Sequence, residues 1–167
     1  MTNQGTGRVI VGVHDCLAGL QALRCAVAEA RRRGTSLCAV RAWTMPYAGQ
    51  GVGLRAWRQE LVDEAALTVY GAFATALGGL PGDVEVRVLA PEGAPSRCLV
   101  DLSDRDDDLL VVGDCQRRRL RRAWSRSVAR YCARHAICPV LVVPPPALAR
   151  LSRHDLSREA QRFIDAS

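Results

Sequence analysis

Residues 8–14 read RVIVGVH, a short β-branched run next to glycine that predicts a buried strand. Residues 17–33 follow, and their apolar side chains from Leu20 to Ala30 recur at helical spacing on one face. Gly34 comes directly after, where a helix commonly ends. The chain therefore opens with a strand followed by a helix, which is the repeating unit of α/β proteins.

The same alternation continues along the chain. Further strands are predicted at 36–43, 83–89, 108–112 and 139–143, and further helices at 54–78, 94–104 and 127–136. Strands that alternate with helices form parallel sheets covered on both faces. The sequence therefore predicts an α/β fold with a five-stranded parallel sheet and helices on both faces. This domain spans residues 7–146, and residues 147–167 form a C-terminal tail that is helical or disordered.

Length and composition fit a soluble single domain. The chain has 167 residues, of which 49% are hydrophobic, and this is enough for a sizeable core. No apolar run approaches the roughly 18–20 residues that a membrane-spanning helix needs. The first residues contain no charged head followed by a long apolar stretch, so no secretory signal is predicted. We expect a cytoplasmic protein without membrane contact.

Seven cysteines are spread along the chain, and no two stand in a CxxC motif. An odd number of cysteines without a signal peptide does not favour a disulfide framework. No pair has the short spacing of a zinc knuckle, so no metal site is predicted. We expect small, buried thiols, except at Cys115, which we place in a polar loop.

Positive charge is concentrated in one segment. All 23 basic residues are arginine and the net charge is +6, yet residues 117–134 alone hold eight arginines and no acid. The rest of the chain is therefore slightly negative, and the protein carries a single cationic patch.

Three interpretations of this patch remain open. It could be a solvated basic surface that pairs with the acidic run 101–108, within the protein or across a dimer. It could bind a small anion, because arginine binds phosphate bidentately. It could also contact nucleic acid, which is the least favoured interpretation because Trp124 is the only aromatic residue in the arginine-rich loop before Ser127.

The sequence lacks the usual motifs of enzymes. It contains no Walker loop, no HExxH motif and no nucleophile elbow. His14 follows the first strand without an evident serine or cysteine partner, and such a histidine is more often structural than catalytic. No catalytic residue is predicted, and we do not expect an enzyme.

Two strand ends are the predicted ligand site. In open parallel sheets, ligands bind beyond the carboxyl ends of strands where the strand order reverses. Here the first strand ends in Val13-His14-Asp15, and the fourth ends in Val112-Gly113-Asp114.

Four segments in three regions of the sequence resemble the universal stress protein family over about residues 7–144. The opening segments RVIVGVHDC and QALRCAVAEA resemble that family's first strand and helix. The segment EGAPSRCLVDLSDRDDDLLVVG resembles its third helix and fourth strand. The most specific segment is SVARYCARHAICPVLVV, which resembles its closing helix and strand.

The resemblance implies a phosphate-binding motif that this chain has rewritten. ATP-binding members carry glycine, two residues, glycine, nine residues, and then glycine followed by serine or threonine, with the serine opening a helix. Gly113 and Ser127 match the first glycine and the hydroxyl residue, but Gln116 and Arg126 replace the other two glycines. A side chain at a glycine position blocks close approach of the backbone to phosphate. Aspartate also moves by one position, to Asp15, after the first strand.

The resemblance therefore implies a degenerate nucleotide or anion site. Its residues would be Val13, His14, Asp15, Val40, Gly113, Gln116, Arg117, Arg118, Arg126, Ser127 and Val128. No cofactor is expected, and the alternative is ATP with magnesium, bound weakly.

The resemblance also implies a homodimer that pairs the last strand of each subunit. That interface would consist of Pro139, Val140, Leu141, Val142 and Val143. The strand is apolar and would otherwise be an exposed edge. The implied function is a stress-response or regulatory module. The alternatives are a nucleotide-sensing ATP binder and an accessory nucleic-acid-binding protein.

Overall fold

A computed structural model describes residues 7–45, 54–115 and 122–147 of the chain, with the side chains of residues 54 and 122–127 left aside. The predicted tail at 147–167 therefore lies, after its first residue, outside the described residues. No helix in the described ranges is both long and apolar enough to cross a membrane.

In the described ranges, five strands and four helices alternate, as predicted. The strands are β1 (Val9–Gly12), β2 (Leu37–Val40), β3 (Val86–Leu89), β4 (Leu109–Gly113) and β5 (Val140–Val143). The helices are α1 (Leu17–Arg33), α2 (Leu54–Leu77), α3 (Pro95–Leu102) and α4 (Arg122–His135). All strand pairs are parallel, and the sheet order is β3-β2-β1-β4-β5. This confirms the predicted fold class.

Alternate residues of the central strand supply two separate cores. Val9 and Val11 pack on one face of the sheet in a cluster that includes Leu23 of α1 and Phe73 of α2. Ile10 packs on the other face with residues of α3 and α4. Burying β1 on both faces explains its unbroken apolar run.

The ends of α1 form as the sequence predicts. The N-cap is Cys16, whose sulfur accepts a hydrogen bond from the backbone N–H of Gly19. At the other end Gly34 adopts a left-handed φ of 63°, and its N–H reaches back to the carbonyls of Ala30 and Arg31. This geometry is why a glycine stands there.

One predicted boundary is wrong in a way that affects the site. The sequence placed the start of the last helix at Ser127, whereas α4 begins at Arg122. The arginine-rich stretch before Ser127 contains no helix breaker, and arginine is a good helix former. Ser127 therefore lies more than one turn inside the helix, so it does not open the helix as the resemblance implied.

A buried ion pair joins the amino ends of β1 and β4. The carboxylate of Asp108 is fully buried, and it accepts the backbone N–H of Arg8 at 2.8 Å and a guanidinium N–H at 2.7 Å. Asp104 contacts the same guanidinium. Hydrogen bonding to Asp108 is the main reason why the pKa of Arg8 is raised above its usual value.

This ion pair engages part of the acidic run 101–108. Asp104 and Asp108 both contact the guanidinium of Arg8. Much of the arginine-rich segment lies outside the described residues, so its pairing with the acidic run stays a prediction.

Candidate functional site

A cavity of about 620 Å³ opens at the carboxyl ends of β1 and β4. These strands are neighbours, and the order reverses between them because the chain leads from β1 to β2 on one side and from β4 to β5 on the other. Ligands bind at such a switch point in open parallel sheets, and the volume suits a small-molecule site. The cavity is lined by Gly12, Val13, His14, Asp15, Val40, Arg41, Ala42, Trp43, Thr44, Gly93, Pro95, Leu99, Val112, Gly113, Cys115 and Val128.

Six residues of the predicted site lie on this wall, namely Val13, His14, Asp15, Val40, Gly113 and Val128. The positions of Gln116, Arg117 and Arg118 lie outside the described residues. Arg126 and Ser127 belong to α4, and their side chains are likewise outside the described part of the chain.

Gly113 is required by packing around the site. A Cβ atom at this position would lie 2.7 Å from the backbone carbonyl carbon and oxygen of Ala18 and from the nitrogen of Gly19. Real Cβ atoms do not approach backbone this closely, so any side chain would push α1 away from β4. The glycine that the resemblance relates to phosphate binding therefore also seats the first turn of α1 against the sheet.

His14 and Asp15 form the polar rim of the cavity. His14 Nδ1 lies 3.3 Å from the backbone nitrogen of Cys16 and 3.2 Å from a carboxylate oxygen of Asp15. The first contact needs an unprotonated Nδ1 and the second a protonated one. The side chain of Asp15 is 66% exposed, whereas the backbone contact belongs to the turn itself.

Sequence reasoning missed the side chains that follow β2. Arg41 donates from its guanidinium to the carbonyl of Val13 at 3.2 Å, which ties the ends of β1 and β2 together. The indole N–H of Trp43 donates to the carbonyl of Ala90 at 2.9 Å, and this bond fixes the aromatic ring at the cavity wall. The sequence did offer a signal for these site residues, namely an arginine and a tryptophan close after a buried strand. Because β2 lies beside β1, side chains that follow β2 reach the same cavity.

The expectation of unpaired cysteines is wrong at two positions. Cys16 and Cys115 are joined by a disulfide, with Cα atoms 6.1 Å apart. That separation is within the range of roughly 4.4–6.8 Å usual for disulfides. Cys115 lies just after the end of β4, as expected for a loop residue, but it is buried. The two residues are 99 positions apart, and only the pairing of β1 with β4 brings them together, so spacing rules could not find them.

The same two sulfurs form part of a group that could hold a metal ion. One ring nitrogen of His14 and the sulfurs of Cys16 and Cys115 lie within 4.8 Å of one another. Thiolate and imidazole suit soft and borderline metals such as zinc or Cu(I). The disulfide occupies both sulfurs, so these residues fit a metal only after reduction.

A second cavity, of about 700 Å³, lies at the opposite ends of the strands and is mostly polar. Three of its arginines are engaged by carboxylates: Arg8 by Asp108, Arg31 by Asp83 and Arg87 by Glu85. Since these charges already neutralise one another, the cavity near the switch point is the better ligand site.

The predicted dimer strand lies at an edge of the sheet. In the described part of the chain, β5 pairs only with β4. Leu141 and Val142 are 38% and 41% exposed, and Ile137, just before the strand, is 66% exposed. An apolar, unpaired edge of this kind is a template for further strand pairing.

Comparison with known proteins agrees with this architecture. A search of curated proteins found no significant match. Among solved structures, a universal stress protein in complex with cAMP is 24% identical, covers 84% of this chain and 98% of its own, and has a TM-score of 0.59. UspA from Lactobacillus plantarum is 22% identical over 84% of this chain and 99% of its own, with a TM-score of 0.61.

A universal stress protein from Archaeoglobus fulgidus is also 22% identical, with a TM-score of 0.52 over 83% of this chain and 98% of its own. Likenesses at this level of identity show the shared fold. The sequence pattern that defines one family matches residues 5–144, which is most of the chain. This protein belongs to the universal stress protein family.

Proposed function

We propose that the protein is a cytoplasmic regulatory module that works by binding rather than by catalysis. In this proposal it forms a homodimer through β5, and its ATP binding is weakened or lost. An arginine-rich segment takes the place of the phosphate-binding glycines. The observation that carries the proposal is the cavity at the switch point, whose wall includes six residues that the family resemblance had singled out.

The cavity wall suits a flat, largely apolar ligand group. Val13, Val40 and Val128 line it from three different parts of the chain, and Trp43 adds an aromatic ring. A small-molecule site is usually an apolar cleft with a few polar groups that set orientation, and Arg41 and His14 supply such groups here. A related protein of the same fold has been solved with cAMP, so we consider an adenine nucleotide first.

The residues at the phosphate end of the site are the reason why we expect a triphosphate to bind weakly. Gln116 and Arg126 stand where the family pattern has glycine, and α4 starts before Ser127, so that residue cannot cap the helix at a bound anion. Asp15 is largely exposed, and its carboxylate would repel phosphate unless a cation lay between them. A monophosphate or a cyclic nucleotide needs fewer phosphate contacts at this end of the site.

Isothermal titration calorimetry of the full chain tests the proposal. We expect no micromolar binding of ATP with magnesium, and comparable or tighter binding of AMP and cAMP. Mass spectrometry of small molecules released from the natively purified protein supplies an independent check. A low-micromolar dissociation constant for ATP would favour the second candidate, a nucleotide sensor of the same family, because the cavity would then retain its triphosphate contacts.

A matched pair of variants locates any binding that is found. Ala42 lies on the cavity wall, so Ala42→Trp should fill the space and remove the binding heat. Ala74 is exposed on α2, so Ala74→Trp adds the same side chain away from the cavity and should leave the heat unchanged. Equal binding by both variants would place the ligand elsewhere and contradict the proposed site.

A further inference from the structure

The disulfide between Cys16 and Cys115 occupies an unusual position. It bridges the first residue before α1 and a residue that lines the cavity after β4. A structural disulfide usually staples a small secreted domain that lacks a sufficient core. This protein has two extensive apolar clusters, one on each face of the sheet, so its fold does not depend on a staple.

The local chemistry favours a reactive sulfur at Cys16. Its Sγ already accepts the N–H of Gly19 at 3.2 Å, because it is the N-cap of a helix of 17 residues. A hydrogen bond to sulfur and the positive end of the helix dipole both stabilise a thiolate. The imidazole of His14 lies beside the pair. A stabilised thiolate also makes its disulfide easier to reduce.

Cys38 and Cys132 are also buried, but they lack the position of Cys16 at the start of a helix. Burial raises the pKa of the Cys132 thiol to about 11 and also raises the pKa of Cys38. Neither is the N-cap of a helix, and both pack in the apolar cluster beneath α3 and α4. Thiols of this kind are structural and inert.

We propose that Cys16 and Cys115 are a reversible dithiol oxidation site, and that its substrate is a peroxide small enough to enter through the cavity. The Cys16 thiolate attacks one oxygen of hydrogen peroxide, the O–O bond breaks, and a sulfenic acid and one water form after proton transfer. The sulfur of Cys115 then attacks the sulfenic sulfur. The S–O bond breaks, the disulfide forms, and a second water leaves. Two thiols and one peroxide thus give one disulfide and two waters.

A dithiol reductant restores the pair by thiol–disulfide exchange. In the cytoplasm proposed above, disulfides are transient and redox-sensing rather than structural. This setting rests on the proposed function, whereas the chemistry of the pair can be measured in vitro whether or not the protein binds a nucleotide.

The experiment uses the full chain, reduced with dithiothreitol and desalted into buffer with EDTA, which removes any metal held by the thiols. Stoichiometric hydrogen peroxide is added, samples are alkylated over time, and each cysteine is followed by peptide mass spectrometry. We expect Cys16 and Cys115 to lose alkylation together and first, to appear in one disulfide-linked peptide, and to recover on renewed reduction.

Two variants sharpen the result. Serine is itself a preferred N-cap, so Cys16→Ser keeps the start of α1 while removing the attacking sulfur. Cys115 should then stay alkylatable after peroxide. Cys25 lies on the same helix and is partly exposed but unbonded, so Cys25→Ser should oxidise at the wild-type rate.

Three results would overturn the proposal. Oxidation could spread over the cysteines without preference for this pair. Cys16→Ser could consume peroxide as fast as the wild type. The bridge could also resist dithiothreitol in the folded protein, which would make it a static structural disulfide.

Discussion

At the scale of single residues, two glycines of this chain differ in whether their surroundings leave room for a side chain. Gly113 is pressed against the backbone of α1, whereas a Cβ at Gly71, on the exposed surface of α2, would meet nothing within 4 Å. The sequence marks both simply as glycine. Only the packing of α1 on β4 shows that one of them permits no side chain.

This contrast makes a prediction for two alanine substitutions. Gly113→Ala should lower the free energy of unfolding by about 1–3 kcal/mol, since it forces α1 away from the sheet. Gly71→Ala should raise that free energy by about 0.5–1 kcal/mol, because alanine restricts the unfolded chain and favours the helix. Urea unfolding followed by circular dichroism measures both changes. A neutral Gly113→Ala would mean that α1 does not approach β4 this closely.

Charged residues show where sequence reasoning stops at this scale. The acidic run 101–108 and the eight arginines were each evident, but their partners were not. Arg8 is separated by 100 positions from Asp108, and only the register of β1 beside β4 makes them a pair. Charge counting identifies a patch, while pairing depends on which strand ends meet.

At the scale of elements, the order of strands and helices was predictable because each has its own apolar periodicity. The observed helix α1 has the predicted bounds, 17–33, since Gly34 stops it by its left-handed conformation. The start of α4 was not predictable from the family pattern, because arginine continues a helix as readily as other residues do. Ten of the sixteen residues that line the cavity were not among the site residues that the resemblance implied. Trp43 and Thr44 are among them, and they follow β2 and belong to none of the quoted motifs.

The bridge between the start of α1 and the end of β4 predicts a measurable stability difference. A cross-link that closes a loop of about 100 residues contributes up to about 4.7 kcal/mol by restricting the unfolded chain. We expect reduction to lower the free energy of unfolding by about 2–4 kcal/mol, measured by urea unfolding with and without dithiothreitol. Cys25→Ser should show the same drop on reduction, whereas a Cys16→Ser protein should show none. A drop that persists in Cys16→Ser would come from another effect of the reductant.

At the scale of the whole molecule, the sheet has two outer strands of different character. The last strand, β5, exposes Leu141 and Val142, whereas β3 carries Arg87 with its partner Glu85 beside it. Charged side chains on an edge strand discourage pairing with another chain. The edge at β5 therefore suits a symmetric dimer, and the edge at β3 does not.

This asymmetry predicts the outcome of a charge substitution. Leu141→Lys places a charge on the β5 edge and should convert the proposed dimer to a monomer in analytical ultracentrifugation at tens of micromolar. Arg87→Lys on β3 keeps the charge of the opposite edge and should leave the association unchanged. A wild-type protein that is already monomeric at this concentration would contradict the dimer.

The register of β1 with β4 also governs how the chain can acquire its fold during synthesis. The central strand pairs first with β2, but its other side must wait for a partner made 100 residues later. At about 5–20 residues per second, the ribosome needs roughly 5–20 s to produce that partner. Over this interval the nascent chain holds a half-built sheet whose open side is the apolar β1. Such long-range pairing is slow and leaves the partner side of β1 exposed to aggregation until β4 is made.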